Sequence, residues 1–205
     1  MPLVVCHCGA VPPERLEAEL CGYQKGAFPG AVQTQKGLFE QAHMGTLFLD
    51  AVEDLGPEAQ AALLRLLQEH EVLRLGASEP VTADVRVIAA SGAPLDDLAA
   101  RGDFSPELFA RLNVCALLIP PLRERREDII PLAEHALQRH AERHGTAIKR
   151  ISYPALELLS RYYWPGNVPE LKSCLLRAAQ YCQDQVIRAG DLPPSLQTAE
   201  SSATE

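Results

Sequence analysis

The chain predicts an α/β fold followed by a helical appendage. Three observations lead there. Short continuous apolar runs at Leu3–Val5, Thr46–Leu49, Val85–Ala89 and Val114–Ile119 alternate with helical patterns. Such runs, spaced by helices, indicate a parallel sheet whose strands are buried on both faces. From Glu127 onward the pattern is wholly helical, and Pro120-Pro121 marks the division between the two regions.

Leu3–Val5 opens the sheet. A Pro-bounded turn follows, then an amphipathic helix near Glu14–Cys21. Gly22 to Ala31 is a glycine-punctuated excursion. Thr46–Leu49 is the second strand, and Asp54-Leu-Gly-Pro supplies turn chemistry, with Pro57 suited to a first helical turn. Apolar residues at 62, 63, 66 and 67 make one stripe along a helix over Glu58–Glu69. Val85–Ala89 and Val114–Ile119 complete the strands. The helices expected beyond are 127–144, about 153–162 and about 167–182, with Pro165-Gly166-Asn167 as the break before the last. The tail after Asp191-Leu-Pro-Pro is Ser, Thr, Ala and Glu, a composition expected to be disordered. The predicted division is 1–122 for the α/β part, 123–190 for the helical part and 191–205 for the tail.

A chain of 205 residues at 47% hydrophobic composition can bury an ample core. No apolar run approaches the about 18 residues a membrane span needs, and the first residues lack a signal-peptide pattern. A net charge of −8 argues against broad nucleic-acid binding. The six cysteines show no paired spacing and read as reduced thiols in a cytoplasmic protein. In Cys6-His7-Cys8 alternate residues of a strand face opposite ways, so three metal ligands would not converge, and no metal is expected. His135, His140 and His144 lie on a predicted helix, the last two at i, i+4, without a carboxylate in a metal-binding frame.

Motifs bearing on chemistry begin with Gly26-Ala27-Phe28-Pro29-Gly30-Ala31 and, further on, Gly45-Thr-Leu-Phe-Leu-Asp50-Ala51. In the same order stand Lys36-Gly-Leu-Phe-Glu, Leu63-Leu-Arg-Leu-Leu-Gln-Glu, Asp84-Val-Arg-Val-Ile-Ala-Ala, Arg111-Leu-Asn-Val, Pro120-Pro-Leu-Arg-Glu-Arg-Arg-Glu-Asp-Ile and Tyr163-Trp-Pro-Gly-Asn-Val. Together these resemble the AAA+ domain of the bacterial enhancer-binding proteins, the ATPases that remodel sigma-54 RNA polymerase. The similarity runs from about Pro2 to Pro193. It implies a partial AAA+ parallel sheet with flanking helices and a small all-α lid. Residues 26–31 would be the loop that touches sigma-54, and Asp50 the Walker B acid.

Several positions depart from the family's pattern. The phosphate-binding GxxxxGK[ST] loop does not occur, and Met1 falls after the point where it would lie. Asp50 could hold Mg²⁺ through water or be an ordinary strand-end acid. Ala51 replaces the acid that polarises the attacking water, and His7 the Asn that restrains that acid. Gly92 stands at the sensor Asn. Ser105 replaces one of two arginines offered to a neighbouring subunit; Arg111 keeps the other, and reads either as such a finger or as a helix-end salt bridge. Pro169 replaces an arginine sensor in the lid. An arginine finger alone is worth ~10³–10⁵ in rate.

The resemblance therefore implies a catalytically degenerate domain, not an enzyme, with ATP and Mg²⁺ as family cofactors that this chain does not use. Pro29 fixes φ near −65° and removes one N–H from the partner loop, which argues against productive sigma-54 engagement, while Phe28 remains as an exposed aromatic. The absent strand before the phosphate loop leaves a gap in the sheet, whose unpaired groups cost roughly 1–3 kcal/mol each if buried. Partners are expected to be proteins, either intact homologues or sigma-54 polymerase. Direct DNA binding is not expected, because no helix-turn-helix follows the lid. The leading expectation is a regulatory or adaptor subunit without catalysis. The alternatives are an ATP-dependent activator whose phosphate loop lies upstream or on another chain, and a relic without function.

Overall fold

The computed structural model describes residues 1–197, which divide into two compact units, Met1–Leu117 and a second beginning at Leu118. In the first unit, β1 (Leu3–His7) leads through a short turn into α1 (Pro13–Cys21). Pro13 takes the first helical position, where its missing N–H costs nothing. Leu16 and Leu20, one turn apart, are fully buried. β2 (Gly22–Tyr23) and β3 (Gln35–Lys36) form an antiparallel pair at the base of the glycine-rich excursion. Then come α2 (Leu38–Gln41), β4 (Gly45–Asp50), α3 (Pro57–Glu69), β5 (Glu71–Val72), β6 (Val81–Thr82), β7 (Val85–Ala89), α4 (Leu95–Arg101) and α5 (Pro106–Leu112).

The main sheet is parallel, in the order β1-β4-β7. Its register sets His7 beside Asp50 and Leu49 beside Ala89. Leu47 and Leu49 are fully buried, each contributing about 1.5–3 kcal/mol of apolar burial. Thr46 and Phe48, on the other face of β4, are only half-buried, so the strand predicted to be covered on both faces is sealed on one. Val85, Val87 and Ala89 face the core from β7, while Ile88 is 42% exposed.

The predicted strand at Val114–Ile119 does not form. Residues 113–115 make a 3-10 turn and the chain then runs without regular structure, with Val114 83% and Leu117 88% exposed. The physical reason is a missing neighbour. β7 is bonded to β4 on one side only, and nothing among the described residues pairs with the run that follows α5. An apolar segment acquires strand geometry only where a partner satisfies its N–H and C=O groups.

The second unit contains α6 (Ile129–His144), β8 (Arg150–Ile151), α7 (Tyr153–Arg161), α8 (Asn167–Tyr181), β9 (Val186–Ile187) and α9 (Pro194–Gln197). It is not wholly helical, because β8 and β9 pair in parallel over two residues. Its core packs Ile129, Ala133 and Leu137 of α6 and Ala155 and Leu159 of α7 against Leu171, Leu175 and Ala178 of α8. Trp164 lies fully buried among them. Its indole N–H donates to the Leu159 carbonyl at 2.8 Å, and its ring meets Tyr162 edge-on at 5.0 Å.

Residues 191–197, expected to be disordered, are ordered. Asp191 accepts from the Arg188 N–H at 2.7 Å, and Leu192 and Leu196 are buried. The rest of the expected tail, 198–205, lies outside the described residues. Among the described residues no helix is long and apolar enough to cross a membrane.

Candidate functional site

Ligands of open parallel sheets bind at the carboxyl ends of the strands. In this chain those ends gather His7, Asp50, Ala51 and Gly92. His7 Nδ1 and Asp50 Oδ2 are 3.0 Å apart, a direct consequence of the β1–β4 register. Both side chains remain about half-exposed. Cys6 and Cys8 turn to the buried side while His7 turns away from it. A hydrogen bond between the two thiols holds Cys6 below the ordinary thiol range and Cys8 above it.

Ala51 adopts a left-handed conformation, φ 55°, between β4 and the 3-10 turn Val52–Asp54. That turn is fastened to β7: the Val52 N–H donates to the Ala90 carbonyl at 3.0 Å and the Ala90 N–H to the Leu49 carbonyl at 2.8 Å. It carries a residue that the sequence did not single out. Glu53 Oε1 accepts from the Gly92 N–H at 2.8 Å, and Glu53 Oε2 is buried with no hydrogen-bond partner among the described residues. Read in sequence, Glu53 merges into the turn chemistry of Asp54-Leu-Gly-Pro; only the 39-residue link to Gly92 distinguishes it.

The remaining candidates are dispersed. Ser105 caps α5: its hydroxyl accepts from the Leu108 N–H, and its own N–H donates to Gln60 Oε1 at 2.7 Å. Arg111, in the last turn of α5, makes no ion pair among the described residues, so the salt-bridge reading of its role does not hold. It lines a groove of about 680 Å³ with Val87, Ala89, Val114 and Leu117. Pro169 is the third residue of α8, in the second unit. Its neighbour Asn167, at φ 50°, accepts from the Leu122 N–H at 2.8 Å through Oδ1. No group of three His, Cys, Asp or Glu side chains among the described residues could chelate a metal.

The loop at residues 26–31 is a closed hydrogen-bonded structure. The Ala31 N–H donates to the Phe28 carbonyl at 3.0 Å and the Gly26 N–H to the Ala31 carbonyl at 2.8 Å. Pro29 and Gly30 occupy the two central positions of the resulting β-turn, with Gly30 at φ 103°. That is the pattern of a type II turn, which favours Pro first and requires a positive φ second. Pro29 therefore shapes the loop. Phe28 is 38% exposed and rests edge-on against Tyr23, ring centres 4.9 Å apart. The base is anchored by Gln24 N–H to the Leu75 carbonyl and Leu75 N–H to the Gly22 carbonyl, both 2.9 Å. A Cβ on Gly76 would come within 2.9 Å of Ala27 Cβ, so the loop needs glycine there.

A parallel sheet ending in an acidic strand, a tethered loop beside it and a separate helical unit define an AAA+ domain with its lid. The chain belongs to the Sigma-54 interaction domain family, whose sequence profile matches residues 1–118, and the AAA+ ATPase lid domain matches residues 123–205. It is 46% identical over 202 residues to nitrogen fixation protein AnfA of Azotobacter vinelandii, which covers 98% of this chain and 38% of AnfA. It is 42% identical to regulatory protein AtoC of Escherichia coli K12 over 204 residues, 100% of this chain and 44% of AtoC. NtrX from Brucella abortus in complex with ATP superposes with a TM-score of 0.85 at 33% identity, over 95% of this chain and 43% of NtrX. Its complex with ADP gives the same TM-score at 32% identity. The chain spans less than half the length of these relatives.

These findings correct the expectation that the chain is not an enzyme. It is a member of an AAA+ ATPase family, and the NtrX structures that share its fold were captured with ATP and with ADP. The expectation rested on the missing phosphate loop together with Ala51, Gly92 and Ser105; membership of the family overturns the conclusion drawn from them.

Proposed function

We propose that this chain forms most of the ATPase core of a sigma-54-dependent transcriptional activator, completed by a phosphate-binding segment supplied from outside these residues. The open edge of β7 carries the reading. Its unpaired side and the exposed apolar run beginning at Val114 flank the 680 Å³ groove, an arrangement suited to one more extended strand. A strand seated there would pair the free N–H and C=O groups of β7, and its carboxyl end would open beside Asp50, Glu53 and Gly92. An exposed apolar edge without such a cover would be a liability for aggregation.

Asp50 suits Mg²⁺, which is commonly bound through one or two carboxylates and the phosphates of its nucleotide. One oxygen is paired with His7, and the side chain as a whole is about half-exposed. When bound, the metal would supply charge neutralisation on the phosphates. Arg111, unpaired at the groove wall, is available to a phosphate of the same or a neighbouring subunit. The rigid turn at Pro29–Gly30, with Phe28 beside it, is the surface offered to sigma-54 polymerase.

The test is to tag the protein at its own locus, purify it from its own cells, and measure both its composition and its phosphate release from ATP. The expected result is a polypeptide longer than these 205 residues, or a stoichiometric second chain, together with ATP hydrolysis. A lone 205-residue chain that releases no phosphate would sink the proposal.

A further inference from the structure

We infer that the second unit carries a groove between α6 and α8 that binds a small ligand bearing two or more phosphate groups. The site is independent of the ATPase reading above, since every residue in it belongs to the helical unit and none to the strand ends.

The groove has a volume of about 520 Å³. Its floor is Ala136 and Leu176, one from each helix, and its walls are His135, Arg139, His140 and Arg143 of α6 and Lys172 of α8. No carboxylate of the described residues lines it, in a chain whose net charge is −8. The acids of the two helices are engaged elsewhere. Glu142 Oε1 accepts from Gln138 Nε2 at 3.0 Å, and Glu134 lines a different groove with Gln138 and Lys149. On α8, Glu170 Oε2 accepts from the Gly166 N–H at 2.7 Å.

These cations are gathered at a cost. His135, Arg139 and Arg143 recur at every fourth residue, which stacks them on one face of α6 about 6 Å apart along the axis. Like charges at that spacing repel. Neither arginine, nor Lys172 across the groove, makes an ion pair among the described residues. Other helices of the chain set an acid at the same spacing, as Arg15 with Glu19 and Arg65 with Glu69. The helix dipole accounts for Arg143, which stands in the last turn of α6. It does not account for Arg139, one turn further in, or for Lys172 in the first half of α8. An anion seated in the groove turns this repulsion into attraction.

The donor set selects phosphate. A guanidinium is a fork that meets phosphate oxygens two at a time, an ammonium meets them as a point charge, and imidazole N–H groups add further donors. The row runs about 12 Å along the helix, further than one phosphate reaches, so two or more are needed to engage it. Walls on both sides and an apolar floor suit a compact ligand. A long polyanion would be repelled by the net charge of the chain as a whole.

The experiment is a calorimetric titration of tripolyphosphate, without Mg²⁺, into the native tagged protein and three variants that each remove one charge. Arg139→Gln should weaken binding by at least about tenfold, the lower end for losing a hydrogen bond to a charged group. Lys172→Gln, on the opposite wall, should weaken it severalfold. Arg177→Gln, exposed on α8 but outside the groove, should stay within about twofold of native. Without ligand, the urea midpoint of Arg139→Gln should be no lower than native, because the row is relieved. The inference is overturned if the native protein shows no saturable binding up to ~1 mM tripolyphosphate, or if Arg177→Gln weakens binding as much as Arg139→Gln. A lowered urea midpoint for Arg139→Gln would give the arginine to the fold and overturn it too. So would duplex DNA that binds more tightly than tripolyphosphate and loses that binding in Arg139→Gln, which would assign the groove to a nucleic-acid backbone.

Discussion

The sheet unit and the helical unit have the same chain chemistry but differ in how completely each closes its core. In the helical unit, Trp164 is enclosed by residues from α6, α7 and α8, and its one polar atom is satisfied internally by Leu159. In the sheet unit, Leu47 and Leu49 are equally enclosed, but one strand away Ile88 is 42% exposed and the run from Val114 pairs with no strand among the described residues. The contrast shows that openness here is local. An AAA+ sheet open along one edge still holds a well-packed core beneath it, and its strand ends keep their hydrogen-bonded geometry.

Truncating the two extremes gives the largest expected difference. Trp164→Ala should destabilise the helical unit by about 3–5 kcal/mol, the range for deleting a large core aromatic, with an unpaired Leu159 carbonyl added. Ile88→Ala, on the open edge, should cost less than about 1 kcal/mol. Urea denaturation followed by far-ultraviolet circular dichroism measures both. An Ile88→Ala loss as large as that of Trp164→Ala would mean the edge is covered in the purified protein.

The same contrast explains what could be read in advance. Thr46–Leu49 and Val85–Ala89 were legible because a buried strand advertises itself with consecutive apolar residues. Val114–Ile119 carries the same signal and was misread, since strand geometry depends on a neighbour that no local pattern reveals. Asp50 and His7 were singled out by motif, but their pairing depends on the β1–β4 register. Pro29 was singled out as a departure from the loop's pattern; that it forms with Gly30 the type II turn closing the loop rests on backbone hydrogen bonds that no motif reveals. Glu53 was invisible for a different reason. Its meaning lies in the Gly92 N–H and in a buried oxygen, both of which exist only after the chain has folded.

Buried thiols test both cores at once. Burial, aided by the charge of Glu17, pushes the Cys21 thiol up to about 12; burial, aided by Glu170, pushes Cys174 up to about 11. An unfolded thiol loses its proton near 9.0, so above that pH the unfolded chain sheds a proton that the folded chain keeps. Stability is therefore fully present below pH 9.0 and falls as pH rises, by about 1.4 kcal/mol per unit for each thiol. The fall should level off near 11 for Cys174 and continue towards 12 for Cys21. The chain's one Trp, buried in the helical core, reports on that unit by fluorescence, and circular dichroism reports on both. Cys174→Ala should flatten the alkaline slope of the fluorescence transition and Cys21→Ala that of the remaining signal. Unchanged slopes would show that these thiols ionise in the folded protein.

The smallest effect is expected at the loop of residues 26–31. Pro29 presets φ for the first central position of the turn, so Pro29→Thr frees the unfolded chain and should cost about 0.4–1 kcal/mol. The hydrogen bonds of the loop survive in principle, because the Phe28–Ala31 and Gly26–Ala31 contacts use backbone groups that threonine does not alter. Amide exchange at Ala31 and Gly26 should therefore quicken severalfold, while exchange in α3, beyond the loop, should not change. Gly30→Ala sharpens the reading. At φ 103° it adds a Cβ to a conformation that disfavours one, although nothing lies within 4 Å to clash with it. If Pro29→Thr leaves exchange at Ala31 untouched while Gly30→Ala accelerates it, the turn is held by glycine alone, and Pro29 contributes nothing to its rigidity.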